Sequence, residues 1–322
     1  MAQVKAPVLV KPKKKLTDRI NIRDFIPFIG LILIVLFFQV ISEGTLLSIK
    51  NMKLILNQSF ALVIGTVSCS FIVAQGDVDF SMGSMVGITA VCAAWTAQVM
   101  PVLALPVAMA VGLIFGMANG LLYVKFHIPS FVVTLSTLLV LRGLTIFISG
   151  GGSVSVPFSM YIYDNSGLKL IVVLVVIAIA CFAFNYTKVG KFCKAVGSGA
   201  EAAFQSGVPV SKMRIFGYAL SATMCGLCGF FNMVRAGSAA TNTGNLFETD
   251  VLIALVLGGM PLSGGASSKI RCAVIGSLIL AVLANGLVFW NINEKLQQGI
   301  KGVVFLVAVW LTFDKRNAQV IK

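Results

Sequence analysis

Few side chains in this sequence could do chemistry, and they stand out against an apolar background: 58% of residues are hydrophobic and 11% charged. Asp77 and Asp79 sit in GDVDFSMGS (76–84), Arg142 lies deep in an apolar run, and Glu248 with Asp250 opens another. A lone histidine, His127, stands beside Lys125, which excludes the usual zinc and histidine-relay constellations. GGASSK (264–269) ends in a lysine, but its glycine spacing and the following Ile270 fail the phosphate-loop pattern, so the chain does not hydrolyse ATP by itself. CGLC (225–228) has redox spacing, yet it falls inside an apolar run where thiols pack as small hydrophobes. An odd count of seven cysteines, mostly in such runs, argues against a disulfide framework.

The elements that must position these residues are membrane spans. Apolar stretches of about twenty residues recur from end to end, each long enough to cross a hydrocarbon core of roughly 30 Å, and the mean hydropathy is +0.96. The expected fold is an all-α, polytopic membrane bundle with about ten spans: 25–42, 54–75, 84–99, 101–124, 129–148, 168–186, 214–236, 248–262, 270–290 and 297–313. Residues 1–24 then form a basic tail, 25–314 the transmembrane unit with a loop at 187–213, and 315–322 a second tail. The run after the basic N-terminus is longer than a signal-peptide core and lacks an A-x-A-like site, so it reads as a retained first span. The third span is short and followed by Pro101 and Pro106, and one segment of the bundle is expected to be broken or re-entrant.

The net charge of +14 does not signal nucleic acid, because no long soluble segment exists to carry a groove. With both termini inside, every basic residue except Lys50, Lys53, Arg142, Lys169, Arg235, Lys295 and Lys301 lies on the cytoplasmic side, as the positive-inside rule requires.

A charge at mid-bilayer costs roughly 2.5–3.5 kcal/mol on insertion scales, so the buried ones turn to a bundle interior or a cavity. Asp79 with Ser81, just ahead of a helix start, suits capping of exposed N–H groups; both aspartates equally suit contact with a solute. Arg142 fits an ion pair with an acid of another span or a ligand contact. Neutral polar groups on the spans (Asn57, Gln58, Asn119, Ser136, Asn285) could line a path for a polyhydroxylated solute or bond helix to helix.

An internal repeat adds weight to some of these. GDVDFSMG (76–83) matches GGMPLSGG (258–265), and Ala-Asn-Gly-Leu recurs at Asn119 and Asn285. The Ser81–Asn119 separation exceeds the Ser263–Asn285 separation by about one membrane crossing, which implies an inverted relation between part of the two copies. Asp77, Asp79, Ser81, Asn119, Arg142, Glu248, Asp250, Ser263 and Asn285 are thus the candidates for a translocation path or for structural support. Gly83 with Gly87, and Gly112, Gly116 and Gly120, have the spacing for close helix approach, within one subunit or across a dimer seam.

Between spans 168–186 and 214–236 lies TKVGKFCKAVGSGAEAAFQSGVPVSKMRIFGYALS. Helix formers from Glu201 precede Gly207, a residue suited to a C-terminal cap, and Pro209 starts a new segment. This is a short helix in a basic loop, exposed and stiff enough to transmit displacement. The stretch resembles the permease subunits of bacterial ATP-binding-cassette sugar importers, the ribose, xylose and arabinose group. GDVDFSMGS, NGLLYVKFHIPSFVVTLSTLLVLRGLTIFISGG, FETDVLIALVLGGMPLSGGASS and QQGIKGVVFLVAVWL carry the resemblance over nearly the whole chain.

The resemblance implies a coupling helix seated in a cleft of a separate ATPase, formed by Glu201, Ala202, Ala203 and Gly207, with Gly197 in the same set. The chain departs from the family at Gly199-Ala200-Glu201, where an Asn-Glu pair commonly precedes the alanines. Further implications are a second permease copy (homodimer or pseudo-dimer), ATP-binding-cassette ATPase subunits, and a periplasmic or lipid-anchored solute-binding protein. Alternating access in the bacterial inner membrane, with both termini cytoplasmic and no cofactor, completes the expectation. The rival reading is an ion-coupled secondary transporter, which also uses repeats and broken helices; its usual mid-membrane titratable groups are missing from spans 168–186 and 270–290, apart from Lys169 and Arg271 at their ends.

Overall fold

The computed structural model describes residues 25–312; the expected tails 1–24 and 315–322 lie outside the described residues. The chain runs through α1 (Ile26–Ile41), α2 (Ile49–Val73), α3 (Met82–Val99), α4 (Ala104–Phe126), α5 (Ser130–Ile148), α6 (Ser166–Tyr186), α7 (Lys188–Ser198), α8 (Ala200–Gln205), α9 (Val210–Ala236), α10 (Phe247–Leu257), α11 (Ile270–Phe289) and α12 (Glu294–Thr312). Two-residue strands, β1 (Val154–Ser155) and β2 (Ser238–Ala239), pair antiparallel. Among the described residues, seven helical stretches are long and apolar enough to cross a membrane: α2, α3, Pro101–Phe126, α5, α6, α9 and α11. The polytopic helical bundle is therefore as expected.

Sequence features set the helix ends. The Ser48 hydroxyl accepts from Asn51 N at the start of α2, and the Asn165 side chain accepts from Gly167 N at the start of α6, the usual N-cap arrangement. His127 ends α4 in the left-handed conformation (φ 54°), just before Pro129 fixes the start of α5. The lone histidine is an exposed helix cap.

Helices α2, α3, α9 and α11 form the centre, and α4, α5 and α6 turn large apolar faces outward. Without a hydrophobic drive between lipid-soaked helices, close backbone approach over small residues holds such a bundle. A Cβ on Gly112 would lie 2.2 Å from Ala222 O, one on Gly116 2.6 Å from Tyr218 O, and one on Gly120 2.7 Å from Ile215 Cα. The glycine stripe of α4 thus seats α9 of the same chain.

One expectation needs correction. The third span, expected over 84–99, is an 18-residue helix, α3. The broken element is the eighth: instead of a span over 248–262, α10 has 11 residues, which at 1.5 Å per residue is about 16 Å, half a bilayer core. Its start lies inside the bundle. Gly65, on α2 about 12 Å before that helix ends, faces the Phe247 ring, where a Cβ would come to 2.6 Å. The preceding non-helical turns reach α3, with Gly244 O 2.4 Å from a Cβ on Gly83 and Thr243 O 2.9 Å from one on Gly87. Non-helical backbone at this depth is tolerated only against protein or a water-filled space.

Candidate functional site

The loop from Thr187 to Pro209 builds a unit of its own. The Thr187 hydroxyl caps α7 by accepting from Val189 N. Val196 of α7, Ala203 of α8 and Val208 form a small buried cluster, with Phe192, Ala195 and Met213 packed around it. Lys188 and Lys191 face outward, whereas the Lys194 ammonium lies 4.5 Å over the Phe184 ring. Burial, and then the charge of Lys269, hold Lys194 below the ordinary lysine pKa. The Cys193 thiol is pushed up to about 12 by burial and stays protonated.

The spacing of Ala203 and Gly207 has a local cause. Val208 N donates to Ala203 O (3.0 Å), and Gly207 N to Phe204 O (2.9 Å), the two bonds of a Schellman cap. Gly207 takes φ +81°, the left-handed conformation this cap requires. Ala203 and Val208 then meet as the cap's apolar contact. Glu201, Ala202 and Phe204 remain exposed, Phe204 at 66%. No atom lies within 4 Å of where a Gly207 Cβ would stand.

The two repeat segments meet each other at the end of α7. Gly265 N donates to Ala74 O (2.9 Å), and Ala266 N to Ser198 Oγ (3.2 Å). A Cβ on Gly197 would lie 2.1 Å from Ala74 O and 2.6 Å from Gly265 N; one on Gly76 would lie 3.2 Å from Ser263 O. Ser263 is exposed in this junction. Lys125, Lys188, Lys191, Lys194, Lys212, Arg214, Lys269 and Arg271 all belong to this end of the bundle.

The first-copy acids are tied into the frame. Tyr123 Oη donates to Asp77 Oδ1 (2.7 Å); Arg214 Nε stands 3.7 Å from Asp77 Oδ2 and stacks on the Tyr123 ring. Asp79 Oδ1 accepts from both the backbone N and the hydroxyl of Ser81, at 2.8 and 2.6 Å. Ser81 Oγ accepts in turn from Asn119 Nδ2 (3.0 Å), and Asn119 Oδ1 from Thr137 Oγ1 (2.7 Å). Burial pushes both aspartates upward; Tyr123 and Arg214 oppose this at Asp77, and Ser81 opposes it at Asp79. Asp79, Ser81 and Asn119 are buried and partnered, so they brace α3, α4 and α5.

In the second copy Asn285 does not meet Ser263. A single crossing separates them, and Asn285 instead exchanges amide hydrogen bonds with Asn51 (2.9 and 3.2 Å), joining α11 to α2. Arg142 turns inward and donates to Thr243 O (2.8 Å) in the broken segment. Glu248, within electrostatic reach of Arg142, is buried, and its Oε2 has no hydrogen-bond partner among the described residues. Asp250 holds Lys301 of α12, whose Nζ is 2.9 Å from each carboxylate oxygen.

Sequence reasoning missed Lys301, Tyr123, Arg214 and Phe204. Lys301 and Arg214 count in the sequence only as topological charges, and nothing local marks Tyr123. Phe204 reads as an ordinary member of the short helix, and only its exposure singles it out.

A buried helical core, outward apolar faces and an exposed loop unit at the basic end define a multi-pass membrane protein. The family described as "Branched-chain amino acid transport system / permease component" matches residues 51–309, and the chain belongs to it. The chain is similar to the Ribose import permease protein RbsC of Haemophilus influenzae (29% identity, 88% of this chain and 90% of that one). It is also similar to the Xylose transport system permease protein XylH of Escherichia coli K12 (27%; 91% and 92%) and to the RbsC of that strain (30%; 84% and 87%). No solved structure matches the chain. It is a transport permease subunit and not an enzyme.

Proposed function

We propose that the chain forms the membrane path of an ATP-driven importer for a small sugar, working as a pair of permease copies. An ATPase of the ATP-binding-cassette class docks on α8, and a solute-binding protein delivers the solute at the opposite end. The observation that carries this is the α7–α8 unit: a capped helix that exposes Glu201, Ala202 and Phe204 and touches the bundle through Gly197 and Ser198. The basic residues around it support placing this end, and with it both termini, in the cytoplasm. Glu201, Ala202, Ala203 and Gly207 form the docking element; Gly197 joins it to the repeat loops.

Relatives named for ribose and xylose favour a sugar, while the family description names branched-chain amino acids. The test is ATP-dependent uptake by proteoliposomes holding permease, ATPase and binding protein, offered labelled ribose, xylose or leucine. Sugar uptake that requires ATP and is insensitive to a protonophore supports the reading. Uptake driven by an ion gradient without ATP contradicts it and favours a secondary transporter.

A further inference from the structure

Between α2, α9, α10, α11 and α12 lies a cavity of about 170 Å³, on the order of six waters' share of the liquid. Gln58, Asn232, Arg235, Phe247, Asp250 and Lys301 line it, together with a serine and several alanine and leucine side chains. Its position is set by the helices: Gln58 is about 14 Å into α2, Asn232 is near the far end of α9, and Asp250 is in the first turns of α10, which starts inside the bundle. The cavity therefore occupies the half of the membrane away from α7 and α8.

The polar content exceeds what structure needs. Asp250 and Lys301 neutralise each other at 2.9 Å. Arg235 Nη1 donates to Asn57 O (3.0 Å). Among the described residues no hydrogen bond joins the side-chain amides of Gln58 or Asn232 to protein. Unpartnered amides at this depth are costly against lipid, and Gln58 and Arg235 are exposed, so the cavity opens to water or solute.

The geometry points to this cavity as a solute-binding subsite within each permease copy, selective for a neutral polyhydroxylated molecule. Two free amides offer donors and acceptors together, which suits hydroxyl groups, and the Phe247 ring supplies an apolar face. With Asp250 and Lys301 closed on each other and Arg235 held by the Asn57 carbonyl, no acid and base are left open together for a zwitterion, which is the poorer fit. The site is also mechanically placed. Phe247 and Asp250 at one end of α10 line the cavity, and the loop after its other end reaches Gly197 and Ser198 through Gly265 and Ala266. One short helix thus connects the solute with the docking unit.

This inference rests on the importer reading, and one assay separates the two. Gln58→Leu and Asn232→Leu remove amides that hold nothing in the protein, so the fold should survive them. The probes are labelled ribose, xylose and leucine, offered to proteoliposomes with the full complex. The site predicts that each variant lowers sugar uptake about tenfold and alters the ribose-to-xylose ratio, at unchanged permease content and basal ATP hydrolysis. Wild-type rates and ratios in both variants, or a uniform fall that merely tracks permease content, overturn the site. Saturable leucine uptake lost in these variants, with sugars untouched, overturns the polyhydroxylated class. Absence of ATP-dependent uptake by the unsubstituted complex contradicts the importer reading itself.

Discussion

Gly197, at the end of α7, lies so close to Ala74 after α2 that a Cβ on the glycine would stand 2.1 Å from the Ala74 carbonyl oxygen. The partner atom is backbone and cannot swing aside. Gly265 N donates to the same carbonyl at 2.9 Å, so three chain segments converge on one oxygen. Displacement of α7 cannot occur without displacing the loops that follow α2 and α10.

Gly197→Ala should therefore pry this junction open. Overpacking of this kind costs roughly 1–3 kcal/mol. The thermal midpoint of the detergent-solubilised permease should fall measurably, and uptake should fall with it. An unchanged midpoint would mean that the three segments part without penalty.

Arg142 donates to Thr243 O beside the buried carboxylate of Glu248. Arg142 is half-buried and within electrostatic reach of Glu248 without a direct contact, so its removal leaves the buried carboxylate less compensated. Arg142→Leu should sharply reduce the yield of folded permease, and adding Glu248→Gln should restore part of it. Equal yields for the single and double variants, by fluorescence-detected size exclusion, would show that Arg142 does not serve Glu248.

At Asp79 the carboxylate oxygen accepts two bonds from Ser81. An amide oxygen can accept the same bonds, so Asp79→Asn should lose little yield, and Asp79→Leu should lose most of it. Normal yield with abolished uptake in both variants would reassign Asp79 to the solute path.

Phe204 is 66% exposed on α8, outside the apolar faces that meet lipid. A buried aromatic anchor at an interface is typically worth about 2 kcal/mol or more, some thirtyfold in affinity. Phe204→Ala should leave permease abundance unchanged and reduce co-purification of the ATPase. Undiminished co-purification would place the docking contact elsewhere.

The sequence reveals most where cause is local. Apolar run lengths report the long helices, whereas Asp79 two residues before Ser81 suggests a helix cap and instead closes a local turn ahead of α3, whose first N–H groups no side chain caps. Glycine after a short helix-forming run reports the turn at Gly207. Depth is not local: α10 begins inside the bundle because Gly65, Gly83 and Gly87 leave room for it, and those contacts span more than 150 positions of the chain. The Ser81–Asn119 bond was half visible in the repeat, whereas the Asn51–Asn285 pair was not, since its first member lies outside the repeated motif. Lys301 looked like a stray charge because its partner, Asp250, is reached only when α12 folds back on α10.

The central claim is that α8 transmits the work of a separate ATPase, and Gly207 tests it most directly. The residue holds φ +81° with open space around it, so Gly207→Val costs roughly 1 kcal/mol or more of local strain and touches nothing in the bundle. The measurement is uptake alongside ATP hydrolysis stimulated by the loaded binding protein, in proteoliposomes with matched permease content. The account predicts that the variant inserts at normal abundance while both uptake and stimulated hydrolysis fall at least several-fold. Wild-type uptake with wild-type stimulation would contradict it.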